Sequence, residues 1–405
     1  MFKRDPRMFT ILMIVFVQML GASMALPILP LFAKREFQMD PVVITLLLSS
    51  FFAAQFLAGP YIGRLSDQYG RLPVLIVSQI GTVFSFLMLV FAQSIPMLFA
   101  SRILDGITGG NIIVAQAYVT DITPRERRTQ SLGLIFAAFG LGFTFGPALG
   151  GALSAAFGER IPFLIASIAA AATVWLTWRT LDESLTPEQR AAHKTTPTRG
   201  KLSIQEVFTN YPLLSILLIT LIAQFGLGLL QSTFALYGEE VIFAGRDERT
   251  IDLGIGLLLG TVGVGQLFTQ LVLLNRLVTR FGDAPMVVIG AFFRAIAMFI
   301  YASILTPWMG VPASIMFAMG SGLMMPALQS MVTNTVDDSV RGGALGFYQS
   351  SVSLATIFST AFGGAIYKVN PSMPYWMGGT LALLTMIPAV MLVRWSVQRK
   401  VEVPA

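Results

Sequence analysis

Long apolar stretches recur along the whole of this 405-residue chain, and they constrain its fold more than any other feature. Hydrophobic residues make up 55% of the chain and charged residues only 12%, whereas a soluble domain carries about 25% charged residues. A helix of roughly 20 apolar residues crosses the hydrocarbon core of a bilayer. The sequence therefore predicts an all-α polytopic membrane protein with almost no residues left for a soluble domain.

Charges, glycines and prolines divide the apolar stretches into about twelve predicted transmembrane helices. The longest polar stretch separates the sixth from the seventh. It predicts an N-terminal six-helix half at 1–181, a flexible linker at 182–206 and a C-terminal six-helix half at 207–405. The predicted spans are 9–33, 42–62, 73–93, 95–119, 130–157, 161–180, 211–238, 251–275, 285–305, 307–334, 343–367 and 373–393.

A weak internal repeat relates the two halves at offsets of 213 and 212 residues. Single matches at such offsets mean little, but these keep their order along the chain. They predict two pseudo-symmetric halves, as in duplicated membrane folds. The matched pairs are Gln116 and Gln329, Arg128 and Arg341, Gly133 and Gly346, and Gly70 and Gly282.

The distribution of Lys and Arg between the predicted helices gives the orientation of the chain. Nineteen of the 27 basic residues fall on the side of the termini, six fall on the other side, and Arg102 and Arg294 lie within helices. Basic loops stay in the cytoplasm. We therefore expect both termini and the linker to be cytoplasmic, in what we take to be a bacterial cytoplasmic (inner) membrane.

Several classes of function lack the residues that they need. The chain has no cysteine and one histidine, His193, which lies in the linker, so no metal or cofactor is expected. Its basic residues are scattered between apolar segments rather than gathered on a face for nucleic acid. There is no phosphate-binding G-x4-G-K-[ST] loop, so direct use of ATP is not expected. A membrane-embedded enzyme is improbable for the same reasons, and we predict that the chain is not an enzyme.

Residues 63–71, after the second helix, read GRLSDQYGR. This resembles the loop pattern G-x-L-[SA]-D-x-x-G-[RK] of the major facilitator superfamily, and the resemblance implies the major facilitator fold. In that family the cluster helps to lock the cytoplasmic side in one state of alternating access. The implied cytoplasmic gate residues are Gly63, Arg64, Asp67, Gly70 and Arg71, and the alternative is a loop that only anchors the topology. The counterpart at 275–283 has Thr279 in place of the aspartate.

The fifth predicted helix carries glycines at a spacing that matches a second pattern, G-x8-G-x3-G-P-x2-G-G. This resembles the antiporter signature of facilitator exporters, and it implies the drug/proton antiporter branch rather than importers. Small residues allow helices to approach closely, and a proline within a helix removes a backbone hydrogen bond. The residues of this antiporter motif are Gly133, Gly142, Gly146, Pro147, Gly150 and Gly151.

The fourth predicted helix contains two opposite charges, Arg102 and Asp105, in its apolar interior. A spacing of three residues places both on one face of a helix, and an ionised residue inside a membrane is usually functional or paired. The run 102–109 resembles the fourth helix of tetracycline and multidrug exporters. We predict that Asp105 with Arg102 carries proton coupling. A structural ion pair and coupling to another ion remain the alternatives.

Amides and one further arginine are the remaining polar groups available for a substrate cavity. The chain has 31 Phe and 20 Met, which suit an adaptable apolar pocket. Arg294 has no acidic neighbour on its own helix, so a backbone carbonyl, a partner helix or a lipid headgroup is its expected partner. The predicted cavity residues are Gln18, Gln55, Asn111, Gln224, Gln231, Gln329 and Arg294.

These observations predict a secondary active transporter that exports small amphipathic or lipophilic compounds by alternating access, in exchange for protons. The alternatives are a lipid or glycolipid flippase and a receptor that does not transport. Tetracycline exporters are expected to have acidic residues in helices 1 and 9, where this chain has Gln18 and Arg294, so tetracycline is not implied. The expected partners are a small-molecule substrate, protons and membrane lipids, and we expect a monomer.

Overall fold

The computed structural model describes residues 6–109, 111–124, 127–186, 204–337 and 340–402, without the side chains of 129, 130, 204 and 395–402. Most of the predicted linker, including His193, lies outside the described residues. The helices are α1 Pro6–Phe37, α2 Pro41–Tyr69, α3 Arg71–Val90, α4 Ile95–Thr108, α5 Asn111–Ile122, α6 Arg128–Phe157, α7 Arg160–Thr180, α8 Ile204–Thr209, α9 Tyr211–Tyr237, α10 Glu248–Phe268, α11 Asn275–Phe281, α12 Asp283–Ala302, α13 Gly310–Asn334, α14 Arg341–Val369 and α15 Met373–Glu402.

Twelve helical spans among the described residues are long and apolar enough to cross a membrane, which confirms the predicted count. One span, Ile95–Ile122, joins α4 and α5 across Gly110, which is not described. Another, Glu248–Phe281, runs from α10 through a π-helical turn at Thr269–Leu274 into α11.

The second helix is longer than its predicted span of 42–62. It continues to Tyr69, so residues 63–69 of the motif form its last two turns, and Arg71 of the motif begins α3. Buried Ile62 and Ser66 hold one face of this extension against the protein. The helix ends at Gly70, whose φ of 106° is strained for any residue with a side chain. Gly282, its repeat partner, ends α11 in the same way with a φ of 84°.

The chain forms two compact units. The first contains residues 1–197 and 246–260, and the second contains residues 198–245 and 261–405. Residues 246–260, which include the beginning of α10, thus group with the first unit rather than with the C-terminal half. The division at 181 and 207 stays a prediction.

Each unit has its own apolar core. In the first unit Ile11 and Ile14 of α1 pack with Leu75 of α3 and Tyr118 of α5. In the second unit apolar residues of α9, α12, α13 and α14 form a separate cluster. Because lipid is as apolar as these side chains, close packing rather than the hydrophobic effect holds such helices together.

Candidate functional site

Arg71, the first residue of α3, is the centre of a polar cluster at one end of the first unit. Its Nη1 atom lies 2.6 Å from Asp67 Oδ1 and donates a hydrogen bond of 2.6 Å to Ser66 Oγ. Its Nε atom donates to Asp121 Oδ2 at 3.0 Å. Arg71 is only 6% exposed, whereas the side chain of Asp67 is 40% exposed, so the guanidinium end of these charge-assisted bonds is buried and the Asp67 end meets water.

Glu183, which follows α7, holds the beginning of α3 from the other side. Its two carboxylate oxygens accept hydrogen bonds from the backbone N–H groups of Arg71, at 2.9 Å, and Leu72, at 3.1 Å. A carboxylate is favourable at the positive end of a helix. Sequence reasoning missed the roles of Asp121 and Glu183, because no local spacing connects them with Arg71.

The structure brings together three of the five predicted gate residues. Asp67 and Arg71 form an ion pair, and Gly70 makes the turn between them. Gly63 lies inside α2, and no described atom outside its own stretch of helix lies within 4 Å of the position of a Cβ. Arg64 is exposed on the same helix. A gating role stays a prediction for all five.

The glycines of the antiporter motif lie on α6, and several of them contact α1. A Cβ atom at Gly142 would lie 2.6 Å from the carbonyl oxygen of Phe16, and one at Gly150 would lie 2.7 Å from that of Met24. Gly146 faces Ser23, whose hydroxyl group donates to the carbonyl oxygen of Gly142. Gly133 has no neighbour within 4 Å, and Gly151 approaches Asp252 rather than α1. Pro147 lies inside α6, which runs without interruption from Arg128 to Phe157.

We expect Gly142→Ala to destabilise the protein by about 1–3 kcal/mol, the usual effect of overpacking a close contact. The added methyl group would meet the backbone of α1, which cannot rotate away as a side chain can. Thermal unfolding of purified protein measures the effect. Gly140→Ala is the matched control because it makes the same change on the same helix with open space around it. Equal stability of the two variants would contradict the packing role.

Arg102 and Asp105 form the ion pair that their spacing predicts. Arg102 Nη1 lies 3.1 Å from Asp105 Oδ2, and the two residues are 5% and 1% exposed. Arg102 Nη2 also donates to Ser85 Oγ at 3.3 Å, and the guanidinium group lies 5.8 Å from the ring centre of Phe86. The pair is therefore buried between α3 and α4 within the first unit.

The buried pair is incompletely hydrogen-bonded. Asp105 Oδ1 and Arg102 Nε have no hydrogen-bond partner among the described residues. Removing a carboxylate from water without full pairing is expensive, and protonation relieves that cost. The arrangement can therefore serve as an acid whose proton occupancy depends on its distance from Arg102, and it can equally be a structural pair.

The predicted cavity residues are divided between the two units. Gln18, Gln55 and Asn111 belong to the first unit, where both amide atoms of Asn111 are buried without a described partner. The others lie in the second unit, where Gln329 is exposed and Gln224 and Gln231 are half-buried. A common cavity for the seven stays a prediction.

Arg294 of α12 binds a backbone carbonyl group, which was one of the three partners expected for it. Its Nη2 atom donates to the carbonyl oxygen of Ala223 at 2.6 Å, and its guanidinium group lies 5.2 Å from the ring centre of Phe317. It lines a cavity of about 10 Å³ with Met324 and Thr385, which is room for a single water.

A family model described as the Major Facilitator Superfamily matches residues 11–245 and 247–405, which is nearly the whole chain. The chain belongs to the Major Facilitator Superfamily. This superfamily member is an integral membrane transporter and not an enzyme, and the major facilitator fold predicted from its loop motif is confirmed.

Proteins similar to this chain over most of its length include named resistance proteins. Tetracycline resistance protein, class C, from Escherichia coli is 30% identical over 97% of this chain and 98% of its own length. Multidrug resistance protein 2 from Bacillus subtilis (strain 168) is 28% identical over 91% of both chains.

Solved structures of the superfamily share the fold. The human organic anion transporter MFSD10 (TETRAN) has a TM-score of 0.69 and 19% identity, and the match covers 96% of this chain and 100% of that one. A D-xylose-proton symporter has a TM-score of 0.74 and 16% identity, with 94% and 96% covered. At these identities the likeness supports the fold alone.

Proposed function

We propose that this superfamily member exports small amphipathic or lipophilic compounds from the cytoplasm in exchange for protons, by alternating access and as a monomer. The observation that carries the proposal is the complete antiporter motif on α6, whose central glycines pack against the backbone of α1. The names of the relatives, tetracycline and multidrug resistance proteins, agree with export as the direction.

The 31 Phe and 20 Met of the chain support an adaptable apolar pocket over one built for a single polar solute. Gln18 lies in α1, the first membrane span, and Arg294 lies in α12, the ninth membrane span. Tetracycline exporters are expected to have acidic residues in these two spans. We therefore propose a lipophilic substrate, and tetracycline is not implied by these residues.

Transport in proteoliposomes tests the proposal. Vesicles that contain the protein and an imposed pH gradient should accumulate fluorescent lipophilic compounds from a panel, and a protonophore should abolish the accumulation. Tetracycline belongs in the panel, because the residues in the first and ninth membrane spans do not imply it as the substrate. Movement of a fluorescent lipid between leaflets without accumulation of any compound would favour a flippase, and no movement of either would favour a receptor.

The proposed orientation places both termini and the linker in the cytoplasm of a bacterial cell, in its inner membrane. Because the chain has no cysteine, a single introduced cysteine reports its own side. We expect an impermeant maleimide to label Arg246→Cys, at an exposed position between two spans, in intact cells. His193→Cys should react only after the cells are broken. Labelling of the His193→Cys variant in intact cells would contradict the proposed orientation and place the linker outside the cytoplasm.

A further inference from the structure

A charged cleft of about 860 Å³ opens in the first unit, at the end away from the Arg71 cluster. It lies where α1 ends, where α6 passes into α7 and where α10 begins. None of its charges belongs to the motifs described above. The charged residues that line it are Arg35, Glu36, Glu159, Arg160, Glu248, Arg249 and Asp252.

Three of these residues form a linked ion-pair triad. Arg35 Nη1 lies 2.6 Å from Glu159 Oε1 and 3.0 Å from Asp252 Oδ1, so one guanidinium nitrogen serves two carboxylates. Ser154 donates a hydrogen bond to the other oxygen of Asp252. The side chains of the triad are only 14%, 15% and 4% exposed, in the order Arg35, Glu159 and Asp252.

Backbone geometry fixes the positions of these side chains. Gly158, with a φ of 94°, makes the turn that places Glu159 at the beginning of α7. Gly151 and Gly256 allow α6 and α10 to touch, because a Cβ atom at Gly256 would lie 2.7 Å from the carbonyl oxygen of Pro147. Asp252, one turn before Gly256, is thereby held against the ends of α1 and α7.

The charges of the triad do not balance when both carboxyl groups are ionised. Two carboxylates share one guanidinium group, which leaves one net negative charge in a partly buried position. Arg160 does not make up the difference, because its Nη2 atom already lies 3.8 Å from Glu36 Oε2, and Glu248 adds a further negative charge near Glu159. Like charges in a shielded site favour the binding of one proton.

We propose that Glu159 and Asp252 bind one exchangeable proton between them, and that this proton keeps residues 246–260 packed against the ends of α1, α6 and α7. With the proton bound, the triad is one carboxylate against one guanidinium group. Without it, repulsion between the carboxylates separates Asp252 from Glu159. The inference deepens the proton exchange proposed above and rests on it for its place in the transport cycle.

The titration of Glu159 supports this geometry. Burial raises the pKa of Glu159 from 4.5 to about 7, against the opposing effect of Arg35, and Asp252 and Glu248 add to the rise. A group with a raised pKa stabilises the packed arrangement below its exposed pKa, and this contribution is lost as the pH rises through about 7. An acidic exterior would therefore close this end of the transporter, which is the order that exchange of an exported compound for a proton requires.

Distances between two spin labels test the proposal without any substrate. Cysteines that replace Ala156, at the end of α6, and Arg246, before α10, are exposed and carry the labels in protein reconstituted in lipid nanodiscs. We expect a single short distance at low pH and a second, longer distance that grows as the pH rises from about 4.5 to about 7.

Substitutions within the triad should remove this response. Glu159→Gln mimics the protonated residue and should keep the short distance across the whole pH range. Asp252→Asn tests the same pair from the other side and should also remove the transition, because one carboxylate then faces one guanidinium group. Asp182→Asn, which removes an exposed acid at the other end of the first unit, is the control and should leave the pH dependence unchanged.

A distance in the parent that is independent of pH, or a Glu159→Gln variant that switches like the parent, would overturn the proposal. The outcome is separable from that of the transport assay. A pH-dependent distance in a protein that exports nothing would contradict the proposed export and support the proton site. Proton-driven export by a protein whose distance does not change with pH would support the proposed export and contradict the proton site.

Discussion

The Asp105→Asn variant should lose export against a concentration gradient while it still carries substrate down a gradient. The amide cannot exchange a proton, so a pH gradient no longer drives the cycle if Asp105 carries the coupling proton. Burial disfavours the ionised carboxylate and Arg102 favours it. Arg102 Nη1 lies 3.1 Å from Asp105 Oδ2, so a movement that changes this distance changes the proton occupancy of Asp105. Accumulation in proteoliposomes measures the loss, and counterflow of labelled substrate measures the exchange that remains.

A second variant separates coupling from structure. Asp105→Asn leaves Arg102 buried without an acid, and breaking a buried ion pair costs about 3–5 kcal/mol. The double variant Arg102→Gln, Asp105→Asn removes both charges and should recover much of that stability. If the pair is structural, the double variant recovers accumulation as well. If Asp105 carries the proton, the double variant recovers stability but not accumulation.

Asp247→Asn is the matched control for this experiment. Asp247 is exposed before α10, where its two carboxylate oxygens accept hydrogen bonds from Thr250, and an asparagine oxygen can keep one of these bonds. It should transport like the parent. Accumulation by the Asp105→Asn variant at the parent level would place coupling elsewhere, with Glu239, Glu240 and Asp252 as the next acids to replace.

The Asp67→Asn variant should transport more slowly while its expression and membrane insertion stay close to those of the parent. Arg71 keeps Asp121 and Ser66 as partners, so the cluster remains folded. The lost ion pair is partly screened because the Asp67 side chain is 40% exposed, so we expect a change of about 1 kcal/mol between access states. This corresponds to roughly a fivefold change in their equilibrium. Initial rates of efflux, normalised to protein in the membrane, measure it.

Asp182→Asn provides the comparison for Asp67→Asn. Asp182 pairs with Arg7 at 3.0 Å on the same side of the first unit, but its side chain is 79% exposed, and exposed ion pairs contribute little. It should leave the efflux rate unchanged. If the two variants transport equally well, Asp67 has no role in biasing the access states.

The candidate sites differ in how far the sequence predicted them. The Arg102–Asp105 pair was predicted because a helix fixes the distance between residues three apart. The glycine face of α6 was predicted as a pattern, but which glycines touch a neighbouring helix was not. The extension of α2 to Tyr69 was missed because its polar residues read as a loop, whereas buried Ser66 and Ile62 keep it helical.

The sequence by itself determined the number of membrane spans and the family, because both follow from apolar length and from motifs of neighbouring residues. The tertiary structure alone decided which distant charges meet. Arg71 binds Asp121, which is 50 residues away along the sequence, and Arg35 binds Asp252, which is 217 residues away. Hydrogen bonds and ion pairs form only within about 4 Å. Separations of that size are set by helix packing, and no spacing along the chain specifies them.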